Sequence, residues 1–441
     1  MRDIALTLVF AGILPLALRH TWVGVLLWTW FSLMNPHRMT WGFAIEMPFA
    51  AIAAGATLLS VIWNQKVLNV PRDAAVVALV MFVAWMCVTT VFAILPERSL
   101  VDLEKALKIQ LMTFIALIAL RERKHIEYFI WVNVVSLGFY GVKGGLFTIA
   151  SGGGSRVWGP NDSMIEGNNE IGLALVMTIP FIYFLRLVAT RVWVRRGLLV
   201  MMLLCAAAVL GTQSRGAFLA FVAMGLVLWL RSPRKAVGGV VIATAGVLLI
   251  MFMPESWEER MRTITEYQGD ASAQGRLNAW SAAINIANDR LTGGGFAIET
   301  RVVFEKYAPV PDVIFTAHSI YFQALGEQGW IGLLLFLAIG VFAFRNAARM
   351  RRLGRQREET MWVYHLGGMI QVSMIGYAVG GAFLSLTYFD LSYNFLVLAV
   401  VCNRWMQEER WKTETEGAFG AGSGTKTVLA ASPVRPAGST T

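Results

Sequence analysis

Three side chains far apart in the sequence carry the residue types needed to move a phosphorylated group: Arg215, Arg276 and His318. Arg215 stands in Thr212-Gln213-Ser214-Arg215-Gly216, and neither 197–213 nor 216–230 contains a charge. A guanidinium flanked by such runs sits at or inside a bilayer boundary, at a cost of about 2.5–3.5 kcal/mol, so it is either functional or reaching out to the headgroups. Its planar fork of donors suits phosphate. Arg276 and Trp280, four residues apart, share one face of a helix; the plainer reading is an exposed arginine packed on a tryptophan. His318 lies where a polar segment meets the next apolar run, in Thr316-Ala317-His318-Ser319-Ile320-Tyr321. It is a candidate general base or, more simply, an interfacial histidine.

Histidines 20, 37, 125 and 365 lie in or beside other connections and share no face with this segment. Two arginines with one histidine suit a phosphorylated lipid. The arginines neutralise charge that grows on a pyrophosphate as its bond to sugar breaks, and the histidine deprotonates an acceptor hydroxyl. Arg156, in a glycine-rich segment that begins Ser151-Gly152-Gly153-Gly154-Ser155, is a fourth candidate. No metal cluster is apparent: Glu255, Glu258, Glu259 and Glu266 read as a solvated helix face. Metal and cofactor are therefore expected to be absent. Cys87, Cys205 and Cys402 all lie in apolar runs and read as small core residues.

The elements that must position these groups are membrane spans. Of 441 residues, 56% are hydrophobic and 15% charged, against about 25% charged in a soluble chain. Apolar segments fall at 4–18, 21–34, 43–63, 74–94, 106–120, 128–149, 170–189, 197–213, 216–230, 236–253, 319–344, 362–382 and 384–402. Continuous apolar runs exclude a barrel and predict an all-α polytopic membrane protein with 12 or 13 spans. The run at 4–18 lacks a small-residue cleavage site and reads as a retained span. The expected organisation is a membrane domain over 1–410, a large partly helical outer loop over about 254–318, and a disordered cytoplasmic tail over 411–441.

The formal charge of +10 is topological and implies no nucleic-acid partner. Arg186, Arg191, Arg195 and Arg196 fill one connection, Arg231, Arg234 and Lys235 another, and Arg345, Arg349, Arg351, Arg352, Arg355 and Arg357 a third. These mark the cytoplasmic side. By contrast, 254–318 holds 9 acidic and 6 basic residues and reads as the outer face.

The ordered set Ser214-Arg215-Gly216, Arg276 with Trp280, Gly293-Gly294-Gly295-Phe296, then His318 before Glu327-Gln328-Gly329 resembles the O-antigen ligase and polymerase superfamily. The opening, Met1 to Leu6 and Leu33-Met34-Asn35-Pro36-His37-Arg38, looks like its exosortase-associated O-glycosylation ligases. The resemblance spans about 1–405. It implies a metal-independent glycosyltransferase of the bacterial inner membrane, with its active site facing the periplasm. The donor would be a saccharide on undecaprenyl pyrophosphate, and the acceptor a hydroxyl on protein, lipid or glycan. Arg215 and Arg276 would bind pyrophosphate, with Arg156 and Trp280 as further substrate contacts, and His318 would activate the acceptor. Ser319 departs from the Asn that follows the histidine in many relatives, which bears on acceptor geometry. A polysaccharide polymerase is the alternative within the superfamily. A lipid-linked glycan flippase or transporter is the alternative outside it, although the two halves show no repeat.

Overall fold

A computed structural model describes residues 1–64, 69–232 and 271–414, with isolated positions at 235, 236, 239, 240, 254 and 257. The expected span at 236–253, the acids Glu255, Glu258, Glu259 and Glu266, and the tail from 415 lie outside the described residues. Among the described residues there are fourteen α-helices and no strand. The protein is an all-α polytopic membrane protein.

The first nine helices are α1 Arg2–Arg19, α2 Thr21–Met34, α3 Phe49–Trp63, α4 Ala74–Val91, α5 Pro96–Ala119, α6 Arg123–Ala150, α7 Asn168–Val188, α8 Val192–Gly211 and α9 Arg215–Arg231. Five more follow: α10 Ala271–Asp289, α11 Arg301–Tyr307, α12 Ile320–Gly354, α13 Met361–Gly381 and α14 Asp390–Gln407. Of these, α4, α6, α7, α8 and α12 are long and apolar enough to cross a membrane. The apolar segments anticipated outside 236–253 all fall on helices, with shifted ends. The segment at 106–120 is only the apolar half of α5, which starts at Pro96 and carries Lys105–Asp102 and Lys108–Glu104 pairs on its exposed first half. The segment at 43–63 opens with a short 3-10 turn, Phe43–Ile45, before α3.

Local chemistry sets the boundaries. Asp73 caps α4 by accepting the Ala75 N–H at 2.8 Å. Ser214 caps α9 by accepting the Ala217 N–H at 3.2 Å, which sets Arg215 as the first residue of that helix. Proline at the start of α5 fits a position whose N–H has no helical partner.

Helices α7 and α14 form the buried centre, with almost every residue of α14 enclosed. Around them α6 packs on α8, α12 on α13 and α4, and α13 on α7 and α9. The connections gather at two ends. At one, Arg38 pairs with Asp162 at 3.1 Å, Val157 N–H donates to Gly211 O at 3.0 Å, and Ile94 N–H donates to Gly294 O at 2.8 Å. At the other, Asn64 Nδ2 donates to Arg19 O at 3.1 Å and Arg404 to Leu120 O at 2.6 Å. The chain stays packed at this second end through Glu414, which accepts from the Arg123 N–H and Trp405 Nε1, each at 2.9 Å. That places 411–414 with the membrane domain.

The segment after α10 docks on an interrupted helix. At Gly329 α12 leaves helical geometry, with φ 67° and ψ −174°. The Gly293-Gly294-Gly295 run covers the break, as Gly294 N–H donates to Gly326 O at 2.8 Å and Gly295 N–H to Glu327 O at 2.9 Å. Backbone groups released at membrane depth are thus satisfied by protein. Only glycine fits here: a Cβ at Gly293 would stand 2.5 Å from Gly329 N, and one at Gly329 2.4 Å from Leu291 O.

Candidate functional site at one end of the helical bundle

His318 is set by α10. Asn278 Nδ2 donates to Val310 O and Val313 O, each at 2.9 Å, and its Oδ1 accepts the Val310 N–H. Asn285 Nδ2 donates to Tyr307 O at 2.8 Å, and Trp280 Nε1 to Ala317 O at 2.6 Å. One helix therefore holds the returning loop by its backbone, immediately up to the residue before His318. The Trp280 ring stacks on Phe322 with centroids 4.6 Å apart. It anchors the segment. Gly275 leaves room for the Phe315 ring, 2.8 Å from where its Cβ would be, and Phe315 meets the His318 ring edge-on at 5.7 Å.

His318 itself is half-buried and sits at φ 41°, in the left-handed region that non-glycine residues rarely occupy. Among the described residues its buried Nδ1 has no hydrogen-bond partner. Burial first, and the Arg276 charge second, lower its pKa to about 4. The imidazole is consequently neutral at ordinary pH, as a proton acceptor must be. Arg276 is half-buried one turn before Trp280, close enough for its charge to act on His318 and on Glu170 in the first turn of α7.

The same first turn leads to Arg215. Asn168 Nδ2 donates to Thr212 O at 2.8 Å, tying α7 to the Thr212-Gln213-Ser214 turn. Gln213 holds φ 53° there, a second strained position. Its Oε1 accepts from Arg156 Nε at 3.3 Å, and its Nε2 donates to Gly153 O at 3.0 Å. Arg156 is thereby fastened two residues from Arg215. On the other flank, a Cβ at Gly216 would lie 3.0 Å from Phe383, and one at Gly381 would lie 2.5 Å from Ile320. The turn after α13 thus touches the α9 start, and the end of α13 touches the α12 start. All four cation or base candidates occur at this one end.

Sequence reading did not single out Glu299 or the role of Glu327. The Glu299 carboxylate accepts the Ala317 N–H, next to His318; crowding by protein raises its pKa, that hydrogen bond opposes the rise, and Asp102 adds to it. Glu327 Oε2 accepts from Tyr388 OH at 2.7 Å and its Oε1 from Gln323 Nε2 at 3.2 Å. Gln328 Nε2 donates to Tyr388 OH at 3.1 Å, and Thr89 bonds Gln328 Oε1. This buried network clamps the first part of α12 to α4 and to the turn before α14. A glutamate two residues before Gly329 is visible in sequence; its partner Tyr388, 61 positions away, is not. Among the described residues, no three His, Cys, Asp or Glu side chains form a metal-binding group.

Fold and site together define a polytopic helical membrane protein with two guanidinium groups and a neutral histidine presented at one end. Residues 199–337, which include Arg215, Arg276 and His318, match the family described as O-antigen ligase, and this match supports a place in the O-antigen ligase superfamily, with activity of the ligase or polymerase type. Residues 1–190, which include Arg156, match a family of unknown function (DUF5935). No curated protein matches the chain.

Proposed function

We propose that this protein is a metal-independent glycan ligase that transfers a saccharide from undecaprenyl pyrophosphate to an acceptor hydroxyl at the periplasmic face of the bacterial inner membrane. The observation that carries the reading is the pairing of Arg276 with a neutral, conformationally strained His318. It occurs at the end where Arg156 and Arg215 also stand, within the stretch that matches the ligase family.

His318 takes the proton from the acceptor hydroxyl as the oxygen attacks the anomeric carbon. The bond from that carbon to the pyrophosphate oxygen breaks, and its electron pair leaves with undecaprenyl pyrophosphate. Arg215 and Arg276 neutralise the charge that develops on the leaving group, so they favour the transition state over the ground state. An apolar cavity of about 350 Å³ between α12, α13 and α14 begins at Ile320 and Tyr321, beside His318. It offers an apolar seat for the part of such a donor's lipid chain nearest the pyrophosphate.

Sidedness rests on charge. Arg186, Arg191, Arg195, Arg351, Arg352 and Arg355 belong to the end opposite the site, which the positive-inside rule assigns to the cytoplasm. The opening Met1 to Arg38 supports placement among the exosortase-associated O-glycosylation ligases. Purified protein given a labelled undecaprenyl-pyrophosphate glycan and a panel of protein, lipid and glycan acceptors tests the reading. A single added chain of unchanged length is expected; a ladder of lengths would show a polymerase, and no transfer to any acceptor would refute both.

A further inference from the structure

At the same end lies a second cavity, of about 890 Å³, between α6, the connection after α2 and the loop that carries Arg156. Four cations line it, Arg2, Arg38, Lys143 and Arg156, and no carboxylate does. Trp41 and Trp158 also line it, with 82% and 58% of their surfaces exposed. The Arg2 guanidinium lies 4.4 Å from the Trp41 ring centroid, which holds both at the rim. Gly144 lets the loop close on α6, since a Cβ there would meet Val157 at 2.8 Å.

Lys143 makes this cavity unusual. It belongs to a helix long and apolar enough to span the bilayer, seven residues before that helix ends at Ala150. At 1.5 Å per residue it sits roughly 10 Å inside the helix end. A lysine at that depth is costly on a lipid face and normally marks a polar path or an anion. Among the described residues no carboxylate pairs with it; Asp162 binds Arg38 at 3.1 Å, and Asp3, beside Arg2, is turned to the Gly42 and Ala44 N–H groups at the rim, and neither lines the cavity. The interior therefore carries uncompensated positive charge at headgroup depth, flanked by two exposed aromatic faces.

We propose that this cavity is a binding site for the phosphate of an anionic lipid headgroup, with Lys143 at its floor and Trp41 and Trp158 covering the glycerol or sugar that bears the phosphate. The depth of Lys143 selects a membrane-borne phosphate over a soluble one. Arg156 is shared with the proposed transfer site, but the argument stands on Arg2, Arg38 and Lys143 and holds whether or not the chain transfers glycans.

Native mass spectrometry of the full-length detergent-purified protein, titrated with phosphatidic acid or phosphatidylcholine, tests it. One phosphatidic acid should be retained in preference to phosphatidylcholine, with affinity lowered about tenfold in Lys143→Gln and in Arg2→Gln. Arg195→Gln, at the opposite end, should bind as the parent does. Lys143→Arg keeps the charge and should keep the lipid, which separates loss of the site from loss of the fold. Equal retention of the two lipids, or equal retention of phosphatidic acid by Lys143→Gln and the parent, would overturn the site. Displacement of the lipid by millimolar inorganic phosphate would overturn the lipid assignment in favour of free phosphate.

Discussion

In the proposed transfer the acceptor proton would meet, at His318, an imidazole that burial and then Arg276 hold at a pKa of about 4. Protonation below that value removes the base, so kcat/KM should fall on the acid side. Arg276→Gln deletes one of the two causes of the depression. The acid limb should therefore move to higher pH, on top of a general loss of rate from weaker pyrophosphate binding. A pH profile of the purified variant reads this directly, and a limb displaced to lower pH would contradict the pairing. At Arg215 the demand is geometric rather than titrational. Arg215→Lys keeps the charge but loses the fork, and should lower kcat/KM by about tenfold or more. These residue types were legible because charge within an apolar run is conspicuous. What was hidden is the strain at Gln213 and His318, about 1–3 kcal/mol each, which hydropathy does not register.

At the scale of elements, the decisive contact is between the glycine run after α10 and the interrupted α12. Gly293, Gly294 and Gly295 read in sequence as a break, and their actual work is to accept the approach of another backbone. Gly329→Ala would force φ 67° on a residue with a Cβ and press that atom on Leu291 O. A destabilisation of about 1–3 kcal/mol, seen as a lower melting temperature of the purified protein, is expected, with activity falling as the His318 anchor shifts. Unchanged melting would mean that the break is not fixed by this contact. Apolar periodicity located the helices because lipid-facing and core-facing surfaces are both apolar. It misplaced the start of α5, whose first half is rich in charge, mostly exposed, and buries only Ser99, Leu103 and Ala106. The three α10 side chains that bind the His318 loop were likewise unreadable, because asparagine and tryptophan in a polar segment do not announce their backbone partners.

For the whole molecule, the division of charge between ends sets the orientation, and a labelling experiment measures it. With the three native cysteines replaced, Ser155→Cys in intact cells should react with a membrane-impermeant maleimide, whereas Gln356→Cys, beyond α12, should react only after lysis. The reverse pattern would put the site in the cytoplasm. Chelation tests the cation chemistry at the same scale: transfer should persist in EDTA if guanidinium groups alone neutralise the pyrophosphate, and its loss with recovery on added magnesium would assign that task to a metal.

The most direct measurement combines purified parent protein and His318→Ala with a labelled undecaprenyl-pyrophosphate glycan and its acceptor. Parent protein should release undecaprenyl pyrophosphate and glycosylated acceptor in equal amounts, and His318→Ala should be slower by about 10²–10⁴-fold at an unchanged melting temperature. Equal rates from the two proteins, or a parent that leaves the donor intact, would contradict the account.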